Sequence, residues 1–136
     1  DKGGESMTIE RSIDIADVVR QALSPYMTAY CVIPAKVSAP FVKVTAAGGS
    51  ERNKIDTFTV GIEGYAKRDQ GACETVRDAV GILKKVAADQ TTALRFVREN
   101  TKPTSYPDPV RPDLVRYRTT LLITAHQEKK EVLANG

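Results

Sequence analysis

Tryptophan is absent from this chain, histidine occurs once and cysteine twice. The single histidine, His126, leaves no imidazole pair for a zinc site and no evident Ser–His–Asp or Cys–His arrangement. An exposed residue at a strand end is its plainer role. Cys31 and Cys73 form no CxxC and are too few for a disulfide framework, so two small buried thiols in a reducing compartment are expected. Cys73 lies near the start of a helix, where the dipole lowers a thiol pKa, but no base accompanies it. No apolar run approaches the roughly 20 residues that a membrane helix needs. No basic segment followed by an apolar one succeeds Met7, which argues against a secretory leader.

Nucleotide motifs are missing as well. Gly48 and Gly49 invite a test as a phosphate cradle, but such a loop runs from a strand into a helix. Here a second strand follows, and neither the GKS/T ending nor the GxGxxG spacing is present. No cofactor is expected. Carboxylates are scattered. Asp56 and Glu63 flank one strand on opposite faces and cannot act as a pair, while Asp108 and Asp113 read as turn residues.

What is present fits one folded domain. The chain has 136 residues, 41% of them apolar and 27% charged, with a formal net charge of +3. That excess is too small to argue for nucleic acid. Residues 1–6 (DKGGES) read as the remnant of an expression tag, with Met7 as the native start. Residues 7–127 read as one domain, and residues 128–136 as a charged tail that frays.

Ser12–Tyr26 reads as a helix with Ile15, Val18, Val19, Ala22 and Leu23 on one stripe. Tyr30–Ile33 and Phe41–Thr45 read as strands, and Gly48–Asn53 as turn chemistry. Asp56–Ala66 alternates, with Phe58, Val60 and Ile62 on one face and Thr57, Thr59 and Glu63 on the other. It pairs with Phe41–Thr45 as a hairpin across the Gly-rich loop. Asp69–Asp89 is the second helix, capped by Asp69 and lined by Ala72, Val76, Ala79, Val80, Leu83 and Ala87. Thr91–Glu99 is extended, with Leu94, Phe96 and Val97 as its apolar residues. A proline-rich loop leads to the last strand, Val115–Ala125. The order is α-β-β-β-α-β-β: an α+β fold, a mostly antiparallel sheet with two helices packed on one face.

Arg95, Arg98, Lys102, Arg111, Arg116 and Arg118 gather in the last third of the chain, with Phe96, Tyr106 and Tyr117 among them. Such a set suits single-stranded RNA. Interleaved acids and the inward face of Tyr117 favour a core instead, so no direct nucleic-acid binding is expected. With no catalytic set, the chain reads as a structural or assembly protein and not an enzyme.

An ordered series of segments then suggests a family: "RQALSPY", "VIPAKV", "PFVKVTAAGG", "RNKIDTFTVGIEGYA", "AKRDQGACETVRDAVGIL", "YPDPVRPD" and "VRYRTTLLITAH". Spanning Ile13–His126, the sequence resembles the tail terminator proteins of long, non-contractile-tailed bacteriophages and their prophage relatives. One departure is Tyr65, where relatives often carry tryptophan. The resemblance implies an α/β fold around a central sheet and a hexameric ring at the head-proximal end of the tail tube. That ring stops tube polymerisation and presents its other face to the head. The implied partners are further copies of the chain, the tail tube protein and the head connector protein. The implied location is the virion tail, reached from the host cytoplasm during assembly.

A ring needs heterologous contacts, in which mixed charge sets register. Glu51, Arg52, Asn53 and Lys54 are one candidate set for a subunit or partner interface. Arg111, Arg116 and Arg118 are a second. Solvated surface charge is the plainer reading of each. A head-side neck protein, or a small RNA- or ligand-binding module, are the alternative functions.

Overall fold

A computed structural model describes residues 4–135. In chain order the elements are β1 (Ser6–Arg11), α1 (Ile15–Leu23), β2 (Ala29–Tyr30), β3 (Phe41–Arg52), β4 (Ile55–Ala66), α2 (Asp69–Asp89), β5 (Leu94–Glu99), β6 (Thr104–Ser105), β7 (Val115–His126) and β8 (Glu128–Leu133). The expected α-β-β-β-α-β-β series is present, with β1, β6 and β8 added. The main sheet runs β2-β3-β4-β7-β5, with β6 beside β7. All its pairings are antiparallel except β2 with β3.

Helix α1 starts where the Asp14 carboxylate accepts from the Asp17 N–H at 3.3 Å. It stops just before Pro25, which cannot continue an α-helix. Ile15, Val19 and Leu23 face inward. Helix α2 has the expected bounds and the expected six inward residues. Its cap differs: Arg68 holds the N-cap position without a side-chain bond, and Asp69 sits inside the first turn. Both helices cover one face of the sheet. Their stripes close on Val42, Val44, Val60, Ile62, Leu121 and Ile123, all buried. Gly64 lets α2 lie directly on β4, since a Cβ there would sit 2.6 Å from Val76 Cγ2 and 2.9 Å from the Ala72 carbonyl oxygen.

The glycine pair has a different role from the one expected. Strand β3 runs through it to Arg52, and the hairpin turn is Asn53–Lys54, both with positive φ (54° and 64°). Two consecutive left-handed residues make the type I′ turn that matches strand twist. Gly48 and Gly49 instead form a bulge, where the register slips by one residue between Ala46 and Gly49. Gly48 takes φ 98°, and a Cβ on Gly49 would lie 2.3 Å from the Thr57 carbonyl oxygen. One glycine serves backbone sign and the other serves close approach.

The ends of the chain also depart from expectation. Within the charged tail, Glu128–Leu133 forms a strand. That segment is β8, paired antiparallel with β1 from Arg11↔Glu128 to Ser6↔Leu133. Ser6, assigned above to a tag, is the first residue of β1, and the Glu5 carbonyl accepts from the Ala134 N–H. Residues 1–3 and 136 lie outside the described residues. A smaller irregularity lies in β5. A bulge at Arg95 turns Phe96 outward, 59% exposed, and brings Val97 in beside Leu94.

Candidate assembly surfaces

The two predicted charge sets lie at opposite ends of β4. Glu51, Arg52, Asn53 and Lys54 are all exposed at the hairpin tip. Tyr65, at the other end, stands opposite Arg116. Ten residues of strand put roughly 33 Å between the ends, so the two sets are not one site.

Arg111, Arg116 and Arg118, the second candidate interface set, are engaged within the chain. The sheet face turned away from the helices carries Phe41, Glu63 and Tyr65 from β3 and β4, and Arg116 and Arg118 from β7. The loop before β7 folds over this end. Tyr65 donates its hydroxyl hydrogen to Asp108 at 2.9 Å and stacks on Phe41 with ring centroids 4.6 Å apart. Arg116 donates to the carbonyls of Tyr106 (2.5 Å) and Pro107 (2.9 Å), and its guanidinium lies 4.2 Å from the Tyr106 ring centroid. Arg118 donates to Glu63 at 2.9 Å, and Arg111 to Asp108 at 3.3 Å. Glu63 and Asp108, both buried, therefore each have a guanidinium beside them, which offsets the cost of burying charge.

Asp108 makes the turn contacts expected from sequence, with the Val110 N–H donating to its carboxylate, and it is also buried, 8% exposed. Burial pushes its carboxyl up. The Val110 N–H, the Tyr65 hydroxyl and the two arginines outweigh that, and its pKa falls below the usual carboxylate range. Burial, then the bond to Asp108, raises the Tyr65 phenol. The sequence signal for this network was the strict alternation of Arg116 and Arg118 opposite Tyr65 and Glu63. Alternation alone does not say which loop covers the face.

At the hairpin end the charges are loosely held. The Glu51 carboxylate accepts from Gln127 Nε2 at 2.6 Å, and Lys54 approaches Glu10 of β1 at 3.8 Å. The arm of β1 and β8 springs from this place. It packs against no other helix or strand among the described residues. Met7 is 64% exposed, Val132 39% and Leu133 63%. Met7, Ile9 and Val132 share one face of the ribbon, while the register sets Leu133 on the other. Sequence reasoning missed this surface. Its only signal in the sequence is the apolar alternation of Met7 and Ile9.

Two other expectations concern thiols and the histidine. Cys31 and Cys73 are free, and both are half-buried, not fully buried. Burial raises the Cys31 thiol. His126 is exposed at the end of β7, and its backbone N–H donates to the Ala93 carbonyl. No helix among the described residues is long and apolar enough to cross a membrane.

No family model matches this chain, and no curated protein matches it in sequence.

Proposed function

We propose that the protein is a ring-forming structural subunit of a phage tail, a tail terminator that caps the head-proximal end of the tail tube. The observation that carries this reading is the unpacked arm of β1 and β8. A two-stranded ribbon is at best marginally stable alone in water. This one leaves two strand edges unpaired and exposes Met7, Val132 and Leu133. Such an arm suits burial against a neighbouring copy, and repetition of that contact around an axis closes a ring. The hairpin tip with Glu51, Arg52, Asn53 and Lys54 supplies mixed charge beside it. Further copies of the chain, the tube protein and the head connector are the partners. The work is capping, without bond making or breaking.

Deletion of the gene in its phage or prophage tests the proposal. Overlong tubes that fail to join heads are expected. Tubes of normal length with leaking heads would assign the protein to the neck instead. In solution, deletion of Glu128–Leu133 should abolish self-association while leaving the main sheet folded.

One observation favours a second reading. Phe96 is exposed on the uncovered sheet face, opposite Thr124 and one residue from Val97, with Arg98 beyond. An exposed aromatic with arginine on an open sheet is a stacking platform for single-stranded nucleic acid. Titration with oligouridylate separates the two: binding that weakens steeply with salt and is lost in Phe96→Ala would favour the module.

A further inference from the structure

Asp56 is 3% exposed, and its Oδ2 has no hydrogen-bond partner. It lies at the start of β4, on the helix-covered face, opposite Ala125 of β7. Its other oxygen accepts from Gln127 Nε2 at 3.3 Å. The same nitrogen serves Glu51, which stands directly opposite Asp56 in the β3–β4 register. Two carboxylates thus share one neutral donor. Among the described residues no lysine, arginine or histidine lies within ion-pair distance of either. Native chains rarely leave a buried carboxylate oxygen unpaired, because the lost hydration is costly.

Both acids border a surface cavity of about 330 Å³, lined also by Ser12, Ile15, Gly48 and Phe58. Its wall combines two negative groups, a hydroxyl and apolar surface from Ile15 and Phe58. That is the chemistry of a socket for an alkyl chain ending in a cation. A metal ion fits less well: no third His, Cys, Asp or Glu among the described residues completes a ligand group. A neutral water would satisfy a lone pair but leave both charges uncompensated.

We propose that this cavity is a binding site for an organic cation, an ammonium or guanidinium head, and that a lysine or arginine of a second copy of this chain supplies it. The cation site stands on the cavity alone, whereas the choice of a second copy rests on the assembly proposed above. Ser12 and Gln127 flank both the cavity and the root of the arm. A neighbour docked along the arm therefore reaches the socket. The bulge at Gly48–Gly49 shapes its rim, which gives that distortion of β3 a purpose beyond the hairpin.

The test uses the full chain as wild type, Asp56→Asn and Glu51→Gln. Sedimentation follows self-association, and n-butylammonium is titrated against the backbone amide resonances of Glu51 and Asp56. Expected are saturable shifts in the wild type and at least tenfold weaker butylammonium binding in both variants. Self-association should weaken by a similar factor. Asp56→Asn should melt at the same temperature as the wild type or higher, because an unpaired buried charge has been neutralised. A large drop in its melting temperature would mean the carboxylate is satisfied within the chain, and would overturn the site. So would a wild type whose resonances do not respond to butylammonium. Butylammonium binding that is lost in the variants, with self-association unchanged, would keep the cation site and overturn the second copy as its source. Glu51→Gln alters an exposed side chain, so it reports even where Asp56→Asn folds poorly.

Discussion

Replacing Asp108 with alanine should unlock the loop that covers one end of the outer sheet face. The substitution removes the acceptor for the Tyr65 hydroxyl at 2.9 Å and for the Val110 N–H at 3.0 Å. It also removes the ion-pair partner of Arg111 at 3.3 Å and one of two acids near Arg116, at 3.7 Å. Breaking a buried pair from one side costs about 3–5 kcal/mol, because the remaining charge is stranded. Glu63 stays 3.8 Å from Arg116 and offsets part of that. Arg111, whose side chain is 26% exposed, can turn to water. A net loss of about 2–4 kcal/mol follows. For a domain of this size that lowers the melting temperature by about 6–16 °C. Tyr65→Phe keeps the stack on Phe41 and removes only the hydroxyl, so it should cost about 1 kcal/mol. The double variant should lose less than the sum of the singles, by about 1 kcal/mol, because the two groups meet each other. Urea unfolding followed by circular dichroism measures all three. A loss below about 0.5 kcal/mol for Asp108→Ala, the range of ordinary surface changes, would refute the view that this carboxylate holds the loop.

Two further outcomes follow from local chemistry. Lys54→Gly should stabilise the fold by about 1 kcal/mol, because lysine is strained at φ 64° and glycine is not; a shifted urea midpoint with an unchanged slope is the readout. The pH profile should fall at both ends. Glu99, held low by Lys84 and then Lys102, and Asp108 contribute stability above the usual carboxylate pKa near 4, and it is lost as pH falls through their depressed folded values. Tyr65, raised by burial, contributes stability below about pH 10 that is lost as pH climbs through its folded value. Urea midpoints measured across pH check both limbs, and Asp108→Ala should flatten the acidic one.

How much of this was legible in the sequence varied with the length of the pattern. Helix α2 could be read to the residue, since six inward positions repeat over 21 residues with Asp69 early and Gln90 beyond. Strands β4 and β7 were legible for the same reason, and Asp56 and Glu63 do fall on opposite faces, as alternation requires. Single-residue events were not. The bulge at Arg95 sets Phe96 on the opposite face from Leu94, and the bulge at Gly48 lengthened β3 through what read as a turn. Asn53–Lys54 is a weak turn signal because lysine replaces the customary glycine. Charge misled in another way. Arg116 and Arg118 look like surface residues until the loop carrying Tyr106 and Asp108 is seen to close over them, and that contact depends on tertiary structure. The arm escaped because neither of its strands has a hydrophobic pattern strong enough to fold without the other.

The arm also bears on the order in which the chain comes together. Its defining ion pair, Arg11 to Glu128 at 2.6 Å, joins positions 117 residues apart. Closing so wide a loop costs chain entropy, and the ribbon offers little buried apolar surface in return. The sheet must first bring β7 home before β8 can meet β1. The ribbon therefore zips last and opens first, in fluctuations that leave the body intact, and its amides should exchange with solvent long before those of β4 and β7. A chain made this way is complete in its body before its arm is set, so the last strand pairing to form is also the one nearest the two described ends.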